Sequence, residues 1–160
     1  MAQTVYLRLQ INGTDIRGES TAKSLDREGS IECLSFHCGV ATPRDAGGLL
    51  IGKRQYEPVR IHKYVDKSTP LLFRALCQNE LVNRAEFRFY RLTPYGAEEH
   101  FYTVLLENGH ISSVRQGSQD ELMPSEKASP MTEEVAFVFR DITWTYETDG
   151  VTYHDSISLS

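Results

Sequence analysis

The sequence is poor in basic charge, in long apolar runs and in cysteine. Seventeen Lys and Arg stand against 22 Asp and Glu, which leaves a net charge of −5. Nucleic acid is excluded as the main partner, because phosphate binding needs a basic face. The longest apolar run is Val135-Ala136-Phe137-Val138-Phe139, far below the ~20 residues of a membrane span, so no membrane insertion is expected. Met1 to Tyr6 has neither a basic nor an apolar stretch, and no secretory signal is expected there. Cys33, Cys38 and Cys77 cannot all pair within one chain, and their spacing is no disulfide framework. The chain is expected to fold in a reducing cytoplasm. Its 160 residues suit one domain over 1–160 and a core large enough to need no staple.

Strand patterns dominate what is present. Val5, Leu7, Leu9 and Ile11 alternate with polar neighbours, and Asn12-Gly13 supplies a turn. From Ile31 to Val40, Leu34, Phe36, Cys38 and Val40 share one parity and Cys33, Ser35 and His37 the other. Read as one strand, the first set faces the core and the second faces outward. Val59, Ile61, Lys63 and Val65 predict another strand. Ser68 or Thr69, then Pro70, open a helix whose apolar stripe is Leu71, Leu72, Ala75 and Leu76, with Asn79 as its stop. Strands are expected over 85–92, 99–107 and 111–114, with turns at Tyr95-Gly96 and Asn108-Gly109. Residues 116–132 read as a polar loop. Val135, Phe137 and Phe139 are apolar at odd positions, Ile142, Trp144 and Tyr146 at even ones. That switch predicts a β-bulge near Arg140-Asp141. A short strand, 151–154, follows Asp149-Gly150. The fold class expected is mainly β: a small antiparallel barrel or closed sandwich with one helix and a long extended loop.

Candidate chemistry is thin. Gly47 to Lys53 resembles a phosphate loop but lacks the following Ser or Thr, since Arg54 stands there, and no helix signal follows. Cys33, His37 and Cys38 fall on opposite faces of a strand with no fourth ligand, so no metal is expected. Glu99 and His100, adjacent on a strand, point opposite ways and cannot converge on one atom. Cys77 sits in the predicted helix beside Leu76 and reads as a buried, inert thiol. No cofactor and no enzymatic activity are expected. The informative feature is the loop over 41–57, with Leu49, Leu50 and Ile51 between Gly48 and Gly52 and followed by Lys53 and Arg54. Connections this long are uncommon unless they bind something. Either the three aliphatics fold back on their own barrel or they dock on a neighbour.

Several motifs resemble one family. Ile16-Arg17-Gly18-Glu19-Ser20, then Ile31 to Phe36 ending in Gly39-Val40, is similar to the opening of the haemolysin-coregulated proteins. Lys63-Tyr64-Val65-Asp66-Lys67-Ser68-Thr69-Pro70-Leu71-Leu72 resembles that family's strand-to-helix junction. Tyr102-Thr103-Val104, Ile111 to Val114, Glu134 to Phe137 and Ile142-Thr143-Trp144 extend the likeness to about Tyr146. Cys38 and His37 depart from it, standing where an aromatic and a small residue are common.

The resemblance implies a tube subunit of the bacterial type VI secretion system, similar in fold to phage tail tube proteins. It implies a homohexamer, rings stacked into a hollow tube inside a contractile sheath, contact with spike and baseplate proteins, and effectors carried in the lumen. Such a subunit is made in the bacterial cytoplasm and leaves by contraction, without a signal peptide. The chain stops soon after its last predicted strand, so no appended toxin domain is expected. Gly48, Leu49, Leu50, Ile51, Lys53 and Arg54 would form the subunit-interface loop. Cys33, Ser35 and His37 would face lumen and cargo. A phage tail tube subunit, a β-barrel enzyme and a monomeric ligand-binding barrel are the other readings.

Overall fold

The computed structural model describes residues 3–118 and 130–157. Much of the predicted loop over 116–132 lies outside the described residues. Within them the chain forms strands β1 (Thr4–Ile11), β2 (Thr14–Ile16), β3 (Ile31–Cys33), β4 (Ser35–His37), β5 (Val40–Ala41), β6 (Gln55–Tyr56) and β7 (Val59–Tyr64). Helix α1 (Thr69–Cys77) follows. Then come β8 (Val82–Leu92), β9 (Glu98–Gly117), β10 (Thr132–Val138), β11 (Asp141–Tyr146) and β12 (Val151–Ser156).

Two antiparallel sheets share the long strand β9. The first runs β2–β1–β8–β9–β11–β12, with β3 also on β1. The second runs β9–β10–β7–β4. The result is sandwich-like and not a strictly closed barrel. Because β3 bonds to β1 and β4 to β7, the bent segment 31–37 spans from one sheet to the other. Leu7, Leu9, Phe87, Val104 and Leu106 meet Val59, Ile61, Val135 and Phe137 across the core. Phe36 packs edge-on against Phe87 and Phe89, with ring centroids 5.0 and 4.9 Å apart. Such pairs add to the burial energy of the rings themselves.

Helix α1 covers one end of the core with Leu72 and Ala75 buried. Ser68 takes the N-cap position, as expected, but makes no side-chain cap bond; Asp66 Oδ1 accepts from its N–H at 2.9 Å instead. Asn79, at φ 51°, ends it as expected.

Three details differ from the sequence reading. Residues 31–40 are not one strand. Leu34 breaks the run: its N–H turns to the carbonyl of His62 at 2.7 Å, and its side chain is 46% exposed. Asn108-Gly109 is no hairpin turn. β9 passes through it with a bend, Asn108 at φ 55°. A Cβ on Gly109 would lie 2.2 Å from the Val138 carbonyl oxygen, so only glycine lets the two backbones approach this closely. Finally, the bulge is not at Arg140-Asp141. The extra residue is Ser112 on β9, where Ala136 pairs with Ser113 but Phe137 pairs with Ile111. At 139–140 the chain leaves one sheet for the other, and the Arg140 N–H bonds to the carbonyls of Glu107 and Asn108. The strand interruption, not a bulge, absorbs the change of parity.

Candidate assembly surfaces

The loop over 41–57 is an ordered arm. β5 and β6 pair at its root, Val40 with Tyr56 and Ala41 with Gln55. Farther out, the Ile51 N–H donates to the Pro43 carbonyl at 3.0 Å and the Asp45 N–H to the Leu49 carbonyl at 2.9 Å. At the tip, Asp45 Oδ1 accepts from the N–H groups of Gly47 (2.9 Å) and Leu49 (2.8 Å). Gly48, at φ 85°, supplies the left-handed turn. Asp45 thus does here what a backbone turn does elsewhere, through its side chain.

The arm holds its aliphatics away from the core. Leu49, Leu50 and Ile51 are 70%, 56% and 63% exposed. Leaving such side chains in water forgoes about 1.5–3 kcal/mol each at full burial. Of the two readings left open by the sequence, folding back onto the subunit is not what the chain does. Lys53 is exposed beside them.

Arg54 is engaged within the subunit. Its guanidinium makes a two-pronged contact with Asp155 on β12, at 2.6 and 2.8 Å, and reaches the Ser156 carbonyl at 3.1 Å. Tyr56 donates its hydroxyl to the same carboxylate. Arg54 first, then Tyr56, hold the Asp155 carboxyl below the usual carboxylate range. Burial and the neighbouring Asp155 push the Tyr56 phenol up to about 12. This clamp joins the root of the arm to the last strand. A planar fork on a carboxylate is a geometry that arginine provides and lysine does not.

Of the residues expected to face outward from the 31–40 segment, Ser35 and His37 do so and Cys33 does not. Cys33 is 6% exposed and lies in the core. The reason is the break at Leu34. β3 pairs Ile31 with Leu7 and Cys33 with Val5, so odd positions point inward there. β4 pairs Phe36 with Ile61, so even positions point inward beyond the break. Leu34 and Val40, expected in the core, are exposed, and so is Cys38. Burial pushes the Cys33 thiol well above its ordinary range. Cys77, expected to be buried, is exposed at the helix end.

In the folded subunit, Cys38 and Cys77 should therefore react with a water-soluble thiol reagent while Cys33 stays protected. Titration of free thiols before and after denaturation checks this. Native reactivity of all three would return Cys33 to the surface.

Two arrangements had no motif to announce them. One is a buried ion pair. Lys63 and Glu133 both have fully buried side chains and contact each other directly. Lys63 Nζ also donates to Asp66 Oδ1 (3.1 Å), Thr69 Oγ1 (3.3 Å) and the Tyr64 carbonyl (2.9 Å). Thr69 donates to Glu133 Oε1 at 2.6 Å, and Gln116 donates to its Oε2 at 3.3 Å. The other is the outer face of the β4–β7–β10–β9 sheet. There Ser35 Oγ and His62 Nδ1 are hydrogen-bonded at 2.9 Å, and Glu134 reaches both His62 and Arg60 at 3.4 Å. Among the described residues no group of three or more His, Cys, Asp or Glu is placed to hold a metal.

An antiparallel β sandwich with one capping helix and a projecting apolar arm is the class of protein these features define. The family model for the type VI secretion system effector Hcp matches residues 6–146. The chain belongs to that family. It is 34% identical over 129 residues to the major exported protein of Pseudomonas aeruginosa strain PAO1, covering 80% of this chain and 75% of that protein. Its fold superposes on a mutant Hcp1 of E. coli EAEC 042 with a TM-score of 0.83 at 30% identity. That match covers 97% of this chain and 99% of the other. The secreted protein Hcp3 of Pseudomonas aeruginosa gives 0.77 at 26% identity, covering 97% and 98%.

Proposed function

We propose that this chain is a structural subunit of a type VI secretion tube. Residues 1–160 act as one tube-protein domain. Six copies close into a ring, and rings stack into a hollow tube that sheath contraction expels with effectors in its lumen. The observation that carries this is the arm, an ordered ribbon that presents Leu49, Leu50 and Ile51 to solvent. A closed ring is built from head-to-tail contacts, in which a projection on one subunit meets a different patch on the next. The arm is such a projection. On this reading Gly48 to Ile51, with Lys53, meet a neighbouring subunit in the same ring or the next. Arg54 holds the arm's root, and Ser35 and His37 face the lumen. Sheath, spike and baseplate proteins are the partners, and the bacterial cytoplasm is left for the medium or a target cell. The name of the major exported relative supports export.

Electron microscopy of the purified protein should show six-fold annuli, and light scattering should give a mass six times that of the subunit. A clean monomer at high concentration would overturn the proposal in favour of a monomeric ligand-binding barrel.

A further inference from the structure

Two hollows at the root of the arm share Val138, Phe139 and Ile157 as a common wall. The larger, of about 360 Å³, is completed by the stretch from Arg54 to Pro58. The smaller, of about 260 Å³, has Asn108, His110 and Arg140 at its rim. The walls of the larger one are fixed. Phe139 meets Tyr56 edge-on, with ring centroids 5.4 Å apart. Arg54 and Tyr56 are both held by Asp155. The Ile157 N–H donates to the Arg140 carbonyl at 2.8 Å. Val138 nevertheless stays 41% exposed.

The subunit's own arm does not fill this hollow, since Leu49, Leu50 and Ile51 stand clear in solvent. Tip and hollow are complementary all the same. The tip offers three aliphatic side chains, and the hollow offers an apolar wall with nothing on it. Their charges also match. At the tip, Arg44 donates to the Gly48 carbonyl at 3.1 Å, and Asp45 accepts from Gly47 and Leu49. Those two charges cancel, and Lys53 leaves the tip with one positive charge. In the hollow, Arg54 and Asp155 cancel, and Glu57 leaves one negative charge. Neither Lys53 nor Glu57 has a side-chain hydrogen bond or ion pair among the described residues. The smaller hollow has Arg140 at its rim and would repel Lys53. A small polar ligand would find only Gln55 and Glu57 uncommitted in the larger one, too few convergent groups to orient it.

We propose that the tip of one copy's arm seats Leu49, Leu50 and Ile51 in the larger hollow of a neighbouring copy, with Lys53 facing that copy's Glu57. This rests on the assembly reading above and names the surface that receives the arm. A projection and a receptor at different places on one subunit make a head-to-tail contact, the kind that closes rings or extends stacks. The root of the arm is itself a wall of the hollow. The Arg54–Asp155 clamp that anchors one copy's arm therefore also shapes the receptor for the next.

The test uses the full chain in a Cys38→Ser/Cys77→Ser background, which leaves only the buried Cys33. In that background Leu50→Cys/Val138→Cys should give, on mild oxidation, a ladder of covalent multimers on a non-reducing gel. Two to six subunits place the contact within a ring, and longer products place it between rings. Leu50→Cys alone and Val138→Cys alone should give no ladder. Lys53→Glu and Glu57→Lys should each weaken assembly about three- to fivefold per contact, the range of an exposed ion pair, and the double exchange should restore it. Light scattering on the unoxidised samples separates the two readings. A hexamer that gives no ladder, or that the double exchange does not restore, overturns this inference alone. A protein that stays monomeric overturns the tube reading and this inference with it.

Discussion

Replacing Lys63 by methionine should cost about 3–5 kcal/mol of folding stability, the usual result of stranding one partner of a buried ion pair. For a chain of this size that corresponds to a fall of roughly 6–20 °C in Tm. The physical reason is what stays behind. Glu133 is fully buried on β10 and would keep the hydroxyl of Thr69 and the amide of Gln116 but no cation. Asp66 would lose the same ammonium. These groups tie β7, β10 and the start of α1 together, so the loss falls on the sheet that carries Ser35 and His37. The double variant Lys63→Met/Glu133→Leu should recover most of the stability, because a buried pair replaced by apolar side chains of similar size is often neutral or better. Thermal and urea unfolding of the two variants beside the wild type measures this. A single variant within about 1 kcal/mol of wild type would show that Glu133 finds water or another partner.

How much of this was legible beforehand is seen by comparing elements that used the same signals. Asn12-Gly13 and Asn108-Gly109 are the same dipeptide. The first makes the expected tight turn, with φ of 48° and 78°. The second bends a continuous strand, because Gly109 must pass close to the Val138 carbonyl. Local chemistry supplied the left-handed asparagine in both; packing against a strand thirty residues later decided the outcome. The regular alternation of β1 and β7 and the stripe of α1 were readable because each buries one continuous face. The 31–40 segment does not follow its single-strand pattern because it changes sheets midway. Its conflict was visible, since Ile31 and Cys33 are apolar at odd positions and Phe36 at an even one. The same conflict between Phe137 and Ile142 points to a bulge in the sequence, although a sheet crossing explains both.

The candidate surfaces divide along the same line. The arm was legible because it is local: glycines, a long connection and three adjacent aliphatics lie within one stretch of chain. The outer face of the β4–β7–β10–β9 sheet was not, because its residues come from four strands, and only register brings His37, Arg60, His62, Glu134 and Arg115 into neighbouring rows. The Lys63–Glu133 pair is separated by seventy positions in sequence. The alternation of Val59, Ile61 and Lys63 already puts Lys63 on the inward face, but nothing in the sequence names Glu133 as its partner.

Leu50→Asp should abolish assembly and leave the subunit folded. The side chain is 56% exposed in the isolated subunit, and exposed substitutions usually change stability by no more than about 0.5 kcal/mol. The melting curve of a monomeric sample should therefore match the wild type. In the assembled state the same position is expected to lie against a neighbour. An unpaired carboxylate buried there costs several kcal/mol, and a closed ring meets that cost at every one of its equivalent contacts. A dissociation constant weakened by even 3 kcal/mol moves by more than a hundredfold. Light scattering and negative-stain microscopy at matched concentration read the outcome. Loss of rings places the tip inside the ring contact; rings that persist but no longer stack place it between rings. Normal rings and normal stacking would remove Leu50 from any contact. An unfolded variant would make the tip part of the subunit's own packing, against the hydrogen-bonded ribbon that now holds it clear.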